Sequence, residues 1–86
     1  MGIDDIINVV LNEVVRAEKL HPYWPQDPIH AAGIVVEEAG ELMQVCIDHV
    51  YEPVDRLDDM KREAMQTAAM GIRFLINIHK LERDMI

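Results

Sequence analysis

Apolar residues recur along this chain at the three- and four-residue spacing that places side chains on one face of an α-helix. The first such segment spans about residues 3–20, with apolar positions at Ile3, Ile6, Ile7, Val10, Leu11, Val14 and Val15. Aspartates in its first turn and basic residues near its end suit the helix dipole. The pattern predicts an amphipathic first helix with one apolar face.

A proline-rich break follows, because proline disfavours helical geometry in the residue before it. Asp27 and Pro28 then form a strong helix start, with Asp as the N-cap and Pro at the first helical position. The second helix is expected over about residues 28–51. Its apolar residues surround most of its circumference, which predicts burial on most sides. Since three helices cannot cover it alone, the sequence predicts a homo-oligomer, either a homodimer or a homotetramer.

A third helix is expected over about residues 54–83, after Pro53 ends the second one. It has one apolar face and a second line that is polar except for a methionine: Asp59, Glu63, Gln66, Met70, Arg73 and Asn77.

On the second helix, Gly33 and Gly40 share a face, and close helix contact there would account for two glycines in a helix interior. The predicted fold is all-α, a single domain over residues 1–86 whose three-helix bundle is completed by oligomerisation.

The amino-acid composition argues against several classes of function. Sixteen acidic residues against eight basic ones give a net charge of −8, which argues against a nucleic-acid polymer as partner because such binding needs a basic surface. No apolar run is long enough and free enough of charge to span a bilayer. The single cysteine, Cys46, and the lack of a basic segment in the first five residues predict a protein without a signal peptide, located in the reducing cytoplasm.

Three carboxylates interrupt the apolar second helix, at Glu37, Glu38 and Glu41. An unpaired buried carboxylate is costly, so a cation is expected opposite them. A short turn makes the second and third helices antiparallel neighbours. Glu41 lies about twelve residues before Pro53 and Glu63 about ten after it, so the two should lie at similar heights along the pair. Glu38, Glu41 and Glu63 are therefore expected to converge.

Two interpretations of these acids stay open from the residues alone. In the first, they bind a hard divalent cation such as Mg²⁺, which prefers oxygen ligands and is often completed by substrate phosphates. In the second, they form a solvated face paired to basic side chains, of which the nearest are Lys61, Arg62 and Arg73. The loop aromatics Tyr23 and Trp24 have two interpretations as well, since they either cover an edge of the core or stack on a ring of a ligand.

The segment Glu37-Glu38-Ala39-Gly40-Glu41, followed after residues 42–62 by Glu63, resembles the motif of the MazG-like, all-α nucleoside triphosphate pyrophosphohydrolases. This superfamily includes phosphoribosyl-ATP pyrophosphatases and all-α dUTPases. Its pattern is Glu-Glu-x-x-Glu on one helix and Glu-x-x-Asp on the next, and the resemblance covers residues 27 to about 75 of this chain. The chain departs from the pattern at Gln66, where the family has the last aspartate, so the site carries one formal charge fewer.

The resemblance implies hydrolysis of a nucleoside triphosphate, or a related nucleotide, at the α–β phosphoanhydride, with a monophosphate and pyrophosphate as products. It implies Mg²⁺ as the cofactor, with Mn²⁺ as the alternative, and Glu37 and Glu38 as catalytic residues that orient the attacking water. The motif positions Glu38, Glu41, Glu63 and Gln66 are the implied metal ligands. Asp59, one turn before Glu63 on the same face, is a further candidate ligand that would compensate for the neutral Gln66. The candidate substrate-binding residues are Lys61 and Arg73 for the phosphates, with His30 and Trp24; each of these is alternatively a packed or surface residue.

Two other functions remain as alternatives. The neutral Gln66 motivates a helical oligomer that binds a nucleotide or a metal without turning it over. The simplest alternative is a structural helical dimer whose acids are only solvated.

Overall fold

The computed structural model describes residues 1–81. All of its regular secondary structure is helical, with no strand: α1 is Ile3–Leu20, α2 is Pro28–Tyr51, α3 is Leu57–Ile76, and a single 3-10 turn, Ile78–Lys80, follows. The all-α class and the bounds of α1 and α2 are as predicted.

The start of α2 follows from its sequence. The Asp27 side chain accepts a hydrogen bond from the Ile29 N–H at 3.0 Å, and Pro28 stands at the first helical position. The capping carboxylate therefore satisfies one of the amides that a helix start leaves without an intrahelical partner.

α3 begins at Leu57, later than the predicted start at residue 54. Two side chains accept hydrogen bonds from the backbone N–H groups just before the helix and at its first residue. His49 Nδ1 accepts a hydrogen bond from the Arg56 N–H, and Asp55 Oδ1 accepts one from the Leu57 N–H, both at 3.0 Å. These contacts hold residues 53–56 as the connection between α2 and α3.

The predicted end of α3 near residue 83 is wrong, since the helix stops at Ile76. The buried Asn77 side chain donates a hydrogen bond to the Arg73 carbonyl at 2.8 Å. Asparagine side chains commonly bond nearby backbone groups in this way, which competes with the backbone hydrogen bonds that would continue the helix. The last two residues of the predicted helix lie outside the described residues.

α3 is the central helix, because it packs against both α1 and α2. In the described part of the chain, the Cα atoms of α1 and α2 nowhere approach within 8 Å of each other. The molecule is elongated, at 52 × 28 × 22 Å, and its radius of gyration is 15.0 Å, whereas a compact domain of this length has about 12 Å. The core is correspondingly small and comprises Val10, Val14, Ala17, Trp24, Ala31, Ala69 and Met70.

The buried face of α1 differs from the predicted apolar face. Only Val10 and Val14 of the seven predicted positions are buried, and the charged Glu13 is buried beside them. The face that meets α3 is rotated toward Glu13 because acceptors on α1 bond polar groups of α3. Ile3, Ile6, Ile7, Leu11 and Val15 therefore remain exposed. No helix within residues 1–81 is both long and apolar enough to cross a membrane.

Candidate metal centre

Three carboxylates from two helices meet in the groove between α2 and α3. Glu38 and Glu41 come from α2 and Glu63 from α3, and each offers an oxygen that lies within 4.8 Å of the others. Glu38 and Glu41 are three residues apart and so share a face of α2. The convergence expected from counting residues outward from Pro53 is confirmed.

The environment of this cluster disfavours the charged form of two of its members. Burial raises the pKa of Glu38 above its ordinary value of 4.5, and the negative charges of Glu41, Glu63 and Glu37 raise it further. Burial also raises the pKa of Glu63, as does Glu41, although Arg62 acts in the opposite direction. A cation placed among the three oxygens would relieve both effects, because an opposite charge favours the ionised carboxylates.

Basic side chains approach the cluster from one side only. Arg62 Nη2 lies 2.6 Å from Asp59 Oδ1, and Arg62 Nε lies 3.9 Å from Glu63 Oε1. Among the described residues, no Lys, Arg or His nitrogen lies within 4.0 Å of a carboxylate oxygen of Glu38 or Glu41. Pairing with arginine or lysine therefore does not account for the two α2 acids.

Asp59, a predicted metal ligand, is engaged by two arginines. Its carboxylate accepts hydrogen bonds from Arg62 at 2.6 Å and from Arg56 at 3.2 Å. These bonds lower the pKa of Asp59 below its ordinary value of 3.8. The structure thus places Asp59 one turn from Glu63 in an ion pair of its own. Glu37, predicted to be catalytic, is exposed on α2 next to Glu38.

Gln66, the residue at the variant position of the motif, is turned toward α1. Its Nε2 donates a hydrogen bond to Glu13 Oε2 at 2.8 Å. Glu13 also accepts two hydrogen bonds from Arg16, at 2.7 and 2.6 Å. The bonds from Arg16 and then Gln66 hold the pKa of Glu13 below its ordinary value, despite the opposing effect of burial. Sequence reasoning missed Glu13, and its position between Val10 and Val14 on one helix face was the available signal.

Arg73 has a structural role in place of the predicted phosphate contact. It is 5% exposed, its Nε lies 3.0 Å from Glu18 Oε2, and its Nη2 donates to the His21 carbonyl at 2.6 Å. Its guanidinium lies 5.1 Å from the centre of the Trp24 ring. An arginine with all of these contacts is committed to holding the proline-rich loop and α1 on α3.

The remaining predicted substrate-binding residues lie in two places. Trp24 and His30 line a hollow at the start of α2, together with Asp27 and Lys80. Trp24 is buried in the core, and within residues 1–81 its indole Nε1 has no hydrogen-bond partner. Lys61 is exposed on α3 and lines an apolar groove between α3 and α1.

The donor set fits a hard divalent cation. All three groups are carboxylates, a ligand type that Mg²⁺ accepts, and neighbouring ligands of Mg²⁺ lie about 3 Å apart. Because the three oxygens lie within 4.8 Å of one another, they would close by up to about 2 Å around a bound ion. No protein-family model, no curated protein and no solved structure matches this chain.

Proposed function

We propose that this chain is a divalent-metal-dependent nucleotide pyrophosphohydrolase, which hydrolyses a nucleoside triphosphate or a related nucleotide at the α–β phosphoanhydride. The observation that carries the proposal is the convergence of Glu38, Glu41 and Glu63 without a matching set of basic side chains. The resemblance of the motif to that of MazG-like pyrophosphohydrolases supports the choice of reaction. We further propose that the protein acts as a homo-oligomer in the cytoplasm.

Four glutamates share two tasks in this proposal. Glu38, Glu41 and Glu63 would hold Mg²⁺ or Mn²⁺, which when bound neutralises charge on phosphate oxygens. Glu37 and Glu38 orient a water molecule whose oxygen forms the new bond to the α-phosphorus. The bond from the α-phosphorus to the bridging oxygen breaks, pyrophosphate leaves, and the water proton passes to a carboxylate.

Substrate contacts are proposed beside the cluster on α3 and at the start of α2. Arg62, whose Nε lies 3.9 Å from Glu63 Oε1, is the cation beside the cluster for phosphate oxygens. Lys61 lines the groove between α3 and α1 and is not assigned to them. His30 lies on the same side of α2 as Glu41, about 16 Å away along the helix axis. His30 lines a hollow there with Trp24, whose indole N–H is itself buried.

The test is pyrophosphate release from a panel of nucleoside triphosphates and diphosphates, with Mg²⁺, with Mn²⁺ and with a chelator. Metal-dependent release is expected for the natural chain, and Glu38→Gln and Glu41→Gln are each expected to abolish it while the helical circular dichroism spectrum stays unchanged. Glu52→Gln is the matched control, because Glu52 is an exposed acid at the end of α2 outside the cluster.

Two results would contradict the proposal. Full activity in Glu38→Gln or Glu41→Gln would show that the cluster does not carry the reaction. No release from any nucleotide, together with no change in melting temperature on adding metal, would leave only a structural helical dimer, since a bound cation stabilises the folded state by mass action.

One observation favours a second function, the binding of a nucleotide or metal without turnover. The side chain at the last motif position, Gln66, is engaged by Glu13, so the chain has four acids where the family motif has five. Under this second proposal the natural chain shows a thermal shift with metal but no pyrophosphate release. The double variant Glu13→Gln/Gln66→Asp, which moves the carboxylate to position 66 and keeps a donor facing it, would then gain activity.

A further inference from the structure

α2 carries an apolar stripe on the side opposite its contact with α3. One row of the stripe is Ile29, Val36, Met43 and Val50, spaced seven residues apart, and every one of these side chains is exposed. A second row, Gly33, Gly40 and Ile47, has the same spacing and is exposed too. The two rows alternate at four and three residues over 22 positions, which is the repeat by which two helices pack along their full length.

The glycines of the stripe have no function within the single chain. A Cβ built on Gly33 or Gly40 would meet no atom within 4 Å, so alanine would fit at either position and would favour the helix more than glycine does. Glycine in a helix interior is explained by the close approach of another backbone or side chain. Nothing within residues 1–81 makes that approach. Gly33 and Gly40 differ from the half-buried Gly71 of α3, which also has an open Cβ position, because they lie in the exposed stripe and are open to a second molecule.

The chain exposes more surface than a compact monomer of its mass. It exposes 6443 Å², whereas a compact monomer of 9.9 kDa exposes about 5,200 Å². The excess is larger than the roughly 800 Å² that each partner contributes to a standard interface. The stripe extends over most of the 24 residues of α2, a length of about 36 Å.

We propose that this α2 stripe is the dimer surface of the protein and that its occupant is the α2 stripe of a second copy, packed antiparallel. The distribution of small and large residues favours this orientation. In a parallel pair each row faces the same row of the partner. Gly33 and Gly40 would then face the same glycines of the second copy and leave gaps, whereas Val36 and Met43 would face each other's large side chains and be crowded. In an antiparallel pair each row faces the other row, so each glycine lies opposite a large side chain.

The flanks of the stripe suit this pairing. Ala32, Ala39 and Cys46 follow one edge, and their small side chains allow the two helices to approach closely. The other edge carries His30, Glu37, Gln44 and Tyr51, which are polar or amphipathic and suit the solvated rim of an interface. The inference uses none of the three clustered carboxylates, although Glu37 and His30 on this rim also have proposed roles in catalysis and substrate binding.

The first test measures the mass of the full chain in solution by sedimentation equilibrium, with a reductant present to keep Cys46 from forming a disulfide. A dimer is expected for the natural chain. Val36→Lys is expected to give a monomer with unchanged helical circular dichroism, whereas Val15→Lys, at a comparably exposed valine of α1, is expected to remain dimeric. A monomeric natural chain, a dimeric Val36→Lys or a dissociated Val15→Lys would each overturn the proposal.

Glycine variants keep the test independent of any loss of helix. Gly40→Ala adds a methyl group that the isolated chain accommodates, but in the antiparallel dimer that group meets a large side chain and should weaken association about tenfold. Gly71→Ala on α3, where a Cβ also meets no atom within 4 Å, is the control and should leave association unchanged. Equal or tighter association of Gly40→Ala than of the natural chain would overturn the proposal.

The orientation has a test of its own. Tyr51 is the last residue of α2 and is 81% exposed, so a spin label on Tyr51→Cys, in a chain that also carries Cys46→Ser, reports the distance between the two helix ends. An antiparallel dimer separates these labels by about 30–40 Å, whereas a parallel one brings them within about 20 Å. The shorter distance would overturn the antiparallel arrangement.

Discussion

Gln66→Asp restores the acid that the family motif has at this position, yet the structure predicts that it destabilises the fold. Gln66 Nε2 donates to Glu13 Oε2 at 2.8 Å, and Glu13 is 8% exposed. Aspartate cannot donate at pH 7, so the substitution removes a hydrogen bond to a charged acceptor. It also sets two carboxylates against each other in a poorly solvated contact between α1 and α3.

The size of the effect follows from these two changes. A hydrogen bond to a charged group contributes about 1.5–3 kcal/mol. Two like charges about 5 Å apart, at an effective dielectric constant of about 20, repel by about 3 kcal/mol. Arg16, which bonds both oxygens of Glu13, offsets part of this repulsion. The free energy of unfolding should therefore fall by about 2–4 kcal/mol at pH 7, and the loss should shrink as the introduced carboxyl group protonates.

Urea unfolding followed by circular dichroism measures this loss. The double variant Glu13→Gln/Gln66→Asp reverses donor and acceptor and should recover most of the stability. Gln44→Asp is the surface control, because Gln44 donates to Asp48 at 2.9 Å in an exposed pair, and it should cost less than about 0.5 kcal/mol. If Gln66→Asp is as stable as the natural chain, or if the double variant is no more stable than Gln66→Asp, the contact does not hold α1 on α3.

Three further predictions follow from other contacts. Arg73→Ala should cost about 2–4 kcal/mol in urea unfolding, because it leaves the Glu18 carboxylate unpaired and uncovers the Trp24 ring; a loss below about 1 kcal/mol would contradict the assigned role of Arg73. Glu38→Gln should raise the melting temperature of the metal-free chain, since burial and nearby acids disfavour the Glu38 charge, and should remove the stabilisation by Mg²⁺; a lower metal-free melting temperature would argue against the cluster. The advantage in the free energy of unfolding of Glu38→Gln over the natural chain should become smaller as the pH falls from 7 through the raised pKa of Glu38 toward its ordinary value of 4.5. The reason is that the folded natural chain binds the proton of Glu38 more tightly than the unfolded chain does. A difference that stays constant between these pH values would contradict the raised pKa.

The parts of the structure that depend on neighbours in the chain were predictable. The bounds of α2 follow from Asp27 and Pro28 at its start, and these are local signals that need no tertiary information. The meeting of Glu41 and Glu63 follows from counting residues on either side of a short turn, because a regular helix converts sequence distance into height.

The parts that depend on distant partners were not predictable. The sequence showed a polar line along α3, but not that α1 would supply its partners, Glu13 for Gln66 and Glu18 for Arg73. A charged residue in a helical pattern is usually assigned to the solvent side, so the predicted apolar face of α1 leaves out Glu13, which the structure buries. Burial of a charge becomes favourable only once its partner is known, and that partner lies 53 residues away.

α1 and α2 do not meet, and this separation has a consequence for how the molecule opens. The α2–α3 hairpin forms from neighbouring parts of the chain, whereas the bonds that hold α1 join residues 53 and 55 positions apart, so more loop entropy opposes its docking. In native-state hydrogen exchange, the amides of α1 should therefore become unprotected together, at a lower free energy than those of α2 and α3. Because Glu38, Glu41 and Glu63 all belong to the hairpin, the candidate metal centre should stay assembled while α1 is detached.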